Sequence, residues 1–205
     1  MNIQPPIFCH LIARPAAVVL LLVAGSAWAS DYRFDTVHSQ VLFCVSHLGF
    51  SNPCGRMRVK SGSFQFDKNH WELAKVDVVV DTASLAMGDA KWDAMLRSWQ
   101  FLETDKYPVA HYVSTDVTKT GDHGAIVHGK LSLRGKTRPV DLHVTFNRAG
   151  IDPYSFRYTA GFSATTTLKR SDFGISKYLP DIGDEVTLRI EVEGLRGAVS
   201  VPLSH

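Results

Sequence analysis

The stretch VLFCVSH, residues 41–47, sets Val41, Phe43, Val45 and His47 on one face of an extended chain and Leu42, Cys44 and Ser46 on the other. A histidine among apolar neighbours can act as a base, ligate a metal or satisfy a buried carbonyl in a wall, and this stretch leaves all three open. Nine histidines make a metal site the first idea to test. Ligands on one strand face need an even separation, whereas His38 and His47 stand nine apart and His123 and His128 five apart. No metal is expected on that spacing. Hydrolytic signatures are also missing: the chain has no Gly-x-Ser-x-Gly elbow and no His-Glu-x-x-His. The glycines of Gly129-Lys-Leu-Ser-Leu-Arg-Gly135 fall inside a strand pattern, where they read as a bend or bulge rather than a phosphate cradle. No catalytic residue and no cofactor is assigned.

The N-terminus decides how the cysteines are read. Residues 1–29 carry one positive charge at Arg14, an apolar run from Ala16 to Ala24 and the triplet Ala27-Trp28-Ala29. That order is expected of a secretory signal peptide cleaved after Ala29. The run is about half of the roughly 20 residues that span a bilayer. Removal leaves 176 of the 205 residues, 30–205, as a single domain, and takes the formal charge from +2 to +1. So small a charge speaks against a nucleic-acid partner. Cys9 leaves with the leader, and Cys44 and Cys54 remain in a compartment that permits disulfides. They form either a bonded pair closing a short loop or two separate thiols acting as small hydrophobes.

The elements that must position these residues are strands. Val76, Val78 and Val80 are set against Asp77 and Asp81, while Val140, Leu142, Val144 and Phe146, and then Val186, Leu188, Ile190 and Val192, alternate with polar neighbours. Adding Tyr32–Val45, Arg58–Asp67, His111–Val117, Ile126–Arg134 and Tyr154–Leu168 gives about eight long amphipathic strands, which favour a closed antiparallel barrel or a two-sheet sandwich. One segment differs. From Asp89 to Leu102, Trp92, Met95, Leu96 and Trp99 recur at helical steps behind an N-capping Asp89. The predicted inward face is apolar and aromatic: Val41, Phe43, Val45, Phe64 and Phe66 early in the chain, then Val144, Phe146, Phe156, Tyr158 and Phe162. An eight-stranded barrel of this kind is either filled by side chains or holds one small ligand.

Four stretches together resemble the YceI family of periplasmic, lipocalin-like lipid-binding proteins. They are His38-Ser39-x-Val41-x-Phe43-x-Val45-x-His47-Leu48-Gly49; Leu96-Arg97-Ser98 with Phe101 and Tyr107-Pro108; Gly129-x-Leu131-x-Leu133-x-Gly135-x-Thr137-x-Pro139-Val140; and Arg170-Ser171-Asp172-Phe173-Gly174. They come in the family's order and cover nearly all of the chain after the leader. The resemblance implies a mainly β protein, an extended eight-stranded antiparallel barrel with one amphipathic helix near one end. It further implies a long cavity for a polyisoprenoid or similar amphiphile, and a periplasmic location. The chain departs from the family at Met95, where members often have His, at Gln100 and Leu102 around Phe101, and at both cysteines. The head-group end of the cavity is where these departures fall.

The function expected is therefore non-enzymatic binding or transport of a long-chain lipid. Val41, Phe43, Val45, Phe64, Phe146, Phe162 and Phe173 are the expected wall, and His47, Arg97 and Arg170 the candidates for head-group contact. Each of these three has a structural alternative: His47 could satisfy a buried carbonyl, and the arginines could pair with an acid such as Asp172 or cap strand ends. An isoprenoid-modifying enzyme or stress-response module using the same three groups is the alternative from another class, and a filled barrel without ligand is a third. A lipid cargo also brings transient membrane contact into view, and pairing with a second copy stays open.

Overall fold

The computed structural model describes residues 29–197 together with Met1. The expected leader, Cys9 included, lies outside these residues except for Met1 and Ala29, as do residues 198–205.

Nine strands follow one another: β1 (Ser30–Phe34), β2 (Gln40–His47), β3 (Cys54–Phe66), β4 (Lys75–Ala86), β5 (Val109–Lys119), β6 (Gly124–Leu133), β7 (Lys136–Ile151), β8 (Tyr158–Lys169) and β9 (Ile182–Arg196). One helix, α1 (Ala90–Arg97), joins β4 to β5. From β2 the pairing runs through each strand in turn to β9 and returns to β2, antiparallel throughout, so the sheet closes.

The closed barrel has the expected eight staves although it has nine strands, because β1 and β2 share one. Both lie between β3 and β9: Tyr32 sits opposite Phe64 and Arg196, while Gln40 sits opposite Arg58 and Glu191. The expected single strand Tyr32–Val45 is thus interrupted between β1 and β2. The Asp35 carboxylate accepts the Val37 and His38 backbone N–H groups at 2.9 and 3.3 Å, which turns the chain outward. Ser39 Oγ then donates to the Glu193 carbonyl and accepts its N–H, at 3.3 and 3.2 Å, and so mends the ladder at the gap.

Alternation places the apolar set inside, as read from the sequence: Val76 to Val80, Val140 to Val144 and Val186 to Val192 all face the interior. One end is plugged by aromatic rings. Phe66 meets Trp71 edge-on at 5.2 Å and Phe162 edge-on at 4.9 Å, Phe146 lies 5.4 Å from Phe162, and Phe64 stacks on Tyr32 at 4.9 Å. Offset and edge pairs of this kind contribute about 0.5–1.5 kcal/mol each beyond their burial. Gly194 permits the plug, since a Cβ there would stand 2.2 Å from the Phe64 ring.

Three expectations are corrected. Phe156 is 78 % exposed rather than inward. The chain turns at Asp152–Arg157, where the Asp152 carboxylate accepts the Tyr154 N–H at 3.0 Å, and β8 starts only at Tyr158. The helix stops at Arg97 instead of reaching Leu102: Ser98 goes extended, and the N–H of Leu102 folds back to the Leu96 carbonyl at 3.0 Å. Trp99 consequently leaves the helical stripe and is 71 % exposed. Gly129 makes close approach possible, because a Cβ would meet the Tyr112 ring at 2.4 Å; the bulge lies across the ladder in β5, between Ser114 and Asp116.

Candidate ligand cavity

Above the aromatic plug the barrel is hollow. The cavity measures about 390 Å³, a volume within the range that holds one small ligand. Val41, Phe43 and Val45 contribute β2's share of the wall, and Phe64 and Phe162 form its floor where the plug begins. Phe173, almost fully buried, closes the wall beside the short 3-10 turn Arg170–Phe173. Phe146 does not reach the cavity; it lies in the plug, between Trp71, Phe66 and Phe162. The wall is apolar almost throughout.

The open end is built by α1 and the loops around it. Asp89 caps α1 by accepting the Trp92 N–H at 2.9 Å, and Asp93 accepts the Met87 N–H at 2.6 Å, fixing the helix across the ends of the strands. Trp92, Met95 and Leu96 thereby face the cavity, with Leu102 and Tyr178 beside them. Two of the departures from the family pattern, Met95 and Leu102, are therefore apolar parts of this mouth. The helical stripe is the signal by which the sequence could have placed α1 on the cavity.

His47 lines the mouth, its ring edge-on to Trp92 at 6.2 Å. Its imidazole makes no hydrogen bond to another described residue, while its backbone N–H donates to Ser51 O at 2.9 Å. The two arginines are placed differently. Arg170 is on the cavity lining as expected, but it is buried and its guanidinium donates to three carbonyl oxygens, Gly183 at 2.7 Å, Ile182 at 2.8 Å and Ile175 at 3.0 Å. Burial draws its pKa below the ordinary value, and nearby Asp184 acts in the opposite sense. Asp184, not Asp172, is the acid of this corner: it accepts the Ser171 N–H and hydroxyl at 2.9 and 2.8 Å. Burial raises the Asp184 pKa, yet those two bonds and Arg170 more than reverse it, leaving the carboxyl below the usual range. Arg97 stays off the cavity wall, donating to the Leu85 carbonyl and lying 3.7 Å from Asp93. Both arginines thus tie loops to strand ends.

Cys44 and Cys54 are directly opposed in the β2–β3 ladder and joined by a disulfide, with Cα atoms 4.1 Å apart. The bond closes the loop carrying Leu48 and Phe50 at the mouth. Among the described residues, one group could hold a metal: Asp35, His38 and Glu193, whose ligand atoms lie within 4.8 Å of one another at the break in the first stave. Sequence spacing between histidines could not find it, because the third member comes from β9. His38 Nδ1 is already 2.8 Å from Asp35 Oδ2.

The site is thus the apolar interior of a closed antiparallel barrel, plugged at one end by aromatic rings and bordered by a helix at the other. Residues 32–194 match the YceI-like domain, and the chain belongs to that family. It is 40 % identical over 185 residues to a UPF0312 protein of Ectopseudomonas mendocina, covering 88 % of this chain and 96 % of the relative. It is 44 % identical over 178 residues to a UPF0312 protein of Azotobacter vinelandii, covering 86 % and 92 %. Among solved structures, the Campylobacter jejuni YceI protein is similar with a TM-score of 0.66 and 26 % identity, over 75 % of this chain and 90 % of that one. A polyisoprenoid-binding domain from Saccharophagus degradans shares the fold, with a TM-score of 0.60 and 16 % identity over 83 % of this chain and 100 % of that domain.

Proposed function

We propose that the protein is exported to the periplasm and there binds and carries one long-chain amphiphilic lipid of the polyisoprenoid type. The tail lies in the barrel and the head group sits at the mouth beside His47. The observation that carries this reading is the cavity itself, apolar along its length and reaching the partly exposed side chains of α1 and its neighbouring loops. The Saccharophagus domain, described as polyisoprenoid-binding, supports the choice of ligand class. Transfer energetics favour it as well: about 20 buried carbons at about 0.8 kcal/mol each give a gross gain of about 16 kcal/mol before ordering costs. Affinity then resides in the wall, and polar groups select the head.

The enzyme alternative needed His47, Arg97 and Arg170 to act on a ligand together. Arg97 lies off the cavity wall and Arg170 is held by three carbonyls, which argues against that reading.

The test uses two variants that block the cavity in different ways. Phe43→Asp puts a charge on the wall, and Ala164→Phe fills the lumen from β8. Each protein is incubated with a total lipid extract, repurified, and its bound lipid extracted and quantified. Both variants are expected to retain less than a tenth of the lipid of the unaltered protein while keeping its circular dichroism. Full retention in both would refute the reading.

A further inference from the structure

The mouth carries apolar side chains that the barrel's own packing does not use. Leu48 and Phe50 project from the loop between β2 and β3, Met95 and Trp99 from α1 and the turn after it, and Tyr178 and Leu179 from the segment before β9. Phe50 is 88 % exposed. Met95 and Tyr178 are exposed on one side and line the cavity on the other, so the apolar wall continues through the opening onto the outer surface.

These side chains are held in place. The Leu48 N–H donates to Asp181 O at 2.8 Å, which ties the β2–β3 loop to the segment holding Tyr178. Arg134 bridges the third loop: its guanidinium donates to the carbonyls of Trp99 and Gly174, both at 2.9 Å. Leu48 and Tyr178 both have positive φ, 54° and 60°, a left-handed backbone that bulky side chains rarely adopt.

Resting on the lipid-carrier reading above, we propose that this rim is the surface by which the protein seats on a phospholipid bilayer, with the cavity opening against the acyl chains. A bilayer fits better than a protein partner because the apolar groups come from three separate loops around a hole rather than from a continuous face. A protein would have to fill that hole, whereas acyl chains can enter it. Trp and Tyr settle at membrane interfaces, and Phe and Leu are the side chains that interfacial segments bury at the acyl boundary. Acids and bases both occur along the segments that carry these apolar groups, with Asp89, Asp105 and Asp181 near Lys91, Lys106 and Lys177 in sequence. Apolar insertion, not attraction to anionic lipid, therefore carries the contact, and the bilayer can be zwitterionic.

The opposite end supplies a control. Tyr154 and Phe156 are as exposed, at 91 % and 78 %, but lie in the β7–β8 turn, away from the opening. Sedimentation with phosphatidylcholine vesicles is compared for the unaltered protein, Phe50→Ser with Trp99→Ser, and Tyr154→Ser with Phe156→Ser. Any contribution from residues 1–29 is common to all three. The rim pair is expected to lower the vesicle-bound fraction at least five-fold, with little change in 0.5 M salt, and the control pair to leave it unchanged. Unreduced binding by the rim pair, or an equal loss in the control, would overturn the proposal. A rim pair that alters only self-association would overturn it in favour of a second copy as the occupant. Lipid already in the barrel is weighed in the same samples: a rim pair that keeps its lipid while losing vesicles separates this surface from the cavity, and vesicle binding by protein without lipid leaves the rim standing while the carrier reading falls.

Discussion

Arg170 shows how a residue read as a ligand contact can instead be a fastener. Its guanidinium meets three carbonyls in a fixed fork, which an ammonium cannot reproduce. Arg170→Lys is expected to lower stability by about 2–4 kcal/mol, since carbonyls at the edge of a buried corner lose their donors; a denaturant titration checks it, and an unchanged midpoint would contradict the assignment. His38 and Asp35 behave as a titrating staple at the stave break. The Asp35 hydrogen bond and charge raise the His38 pKa, and Asp35 itself, though burial pushes it up, ends below the usual carboxylate range through its bonds to His38 and Val37. A raised histidine stabilises the fold fully below its unfolded value of about 6.5 and stops doing so as pH rises through the folded value. A lowered carboxyl does the reverse, losing its contribution as pH falls through its folded value. The pair is therefore strongest in mildly acidic solution, and exposure of His38 limits the effect to below about 1 kcal/mol. Melting curves against pH should show a fall as pH rises beyond about 6.5 that His38→Gln removes; identical profiles would count against the staple.

Among the elements, β2 and β3 carry the disulfide, which closes a loop of sequence separation 10. Chain entropy assigns such a closure about 2–3 kcal/mol. Reduction should lower the denaturation midpoint accordingly while the barrel stays folded, because the β2–β3 and β2–β9 ladders remain; loss of the fold on reduction would show that this account of the first stave is wrong. The strands were legible because period-two alternation directly reports a sheet with one buried face, and β4, β7 and β9 needed nothing more. The break at Asp35–Ser39 was not, since it depends on Ser39 meeting Glu193 in the last strand. The helix was legible in kind and N-cap but not in length, because the stripe continues to Trp99 while the backbone turns away at Ser98. Likewise Phe146 alternates correctly with β7, and the pattern cannot say how far along the barrel the plug ends and the cavity begins. For Arg97 and Arg170 the sequence offered strand-end capping as one alternative but could not name the partners, because backbone carbonyls have no sequence signature.

At the scale of the whole molecule, closure of the sheet removes its edges, and the distribution of large side chains decides what the enclosed space is for. Aromatic rings from β1, β3, β7, β8 and the Trp71–Leu73 turn crowd one end, whereas the rest is lined by many valines and leucines with aromatics such as Phe43 and Phe173 among them, and stays hollow. A structure built only for stability would fill that volume, because an unfilled apolar cavity costs contacts on every side. The described residues contain no helix long and apolar enough to cross a membrane. The most direct test of the carrier reading is native mass spectrometry of the protein purified gently from its own host. A discrete added mass, identified after release as one long-chain isoprenoid or comparable amphiphile per chain, is the predicted result. A clean unliganded mass that persists after incubation with a total lipid extract would contradict it.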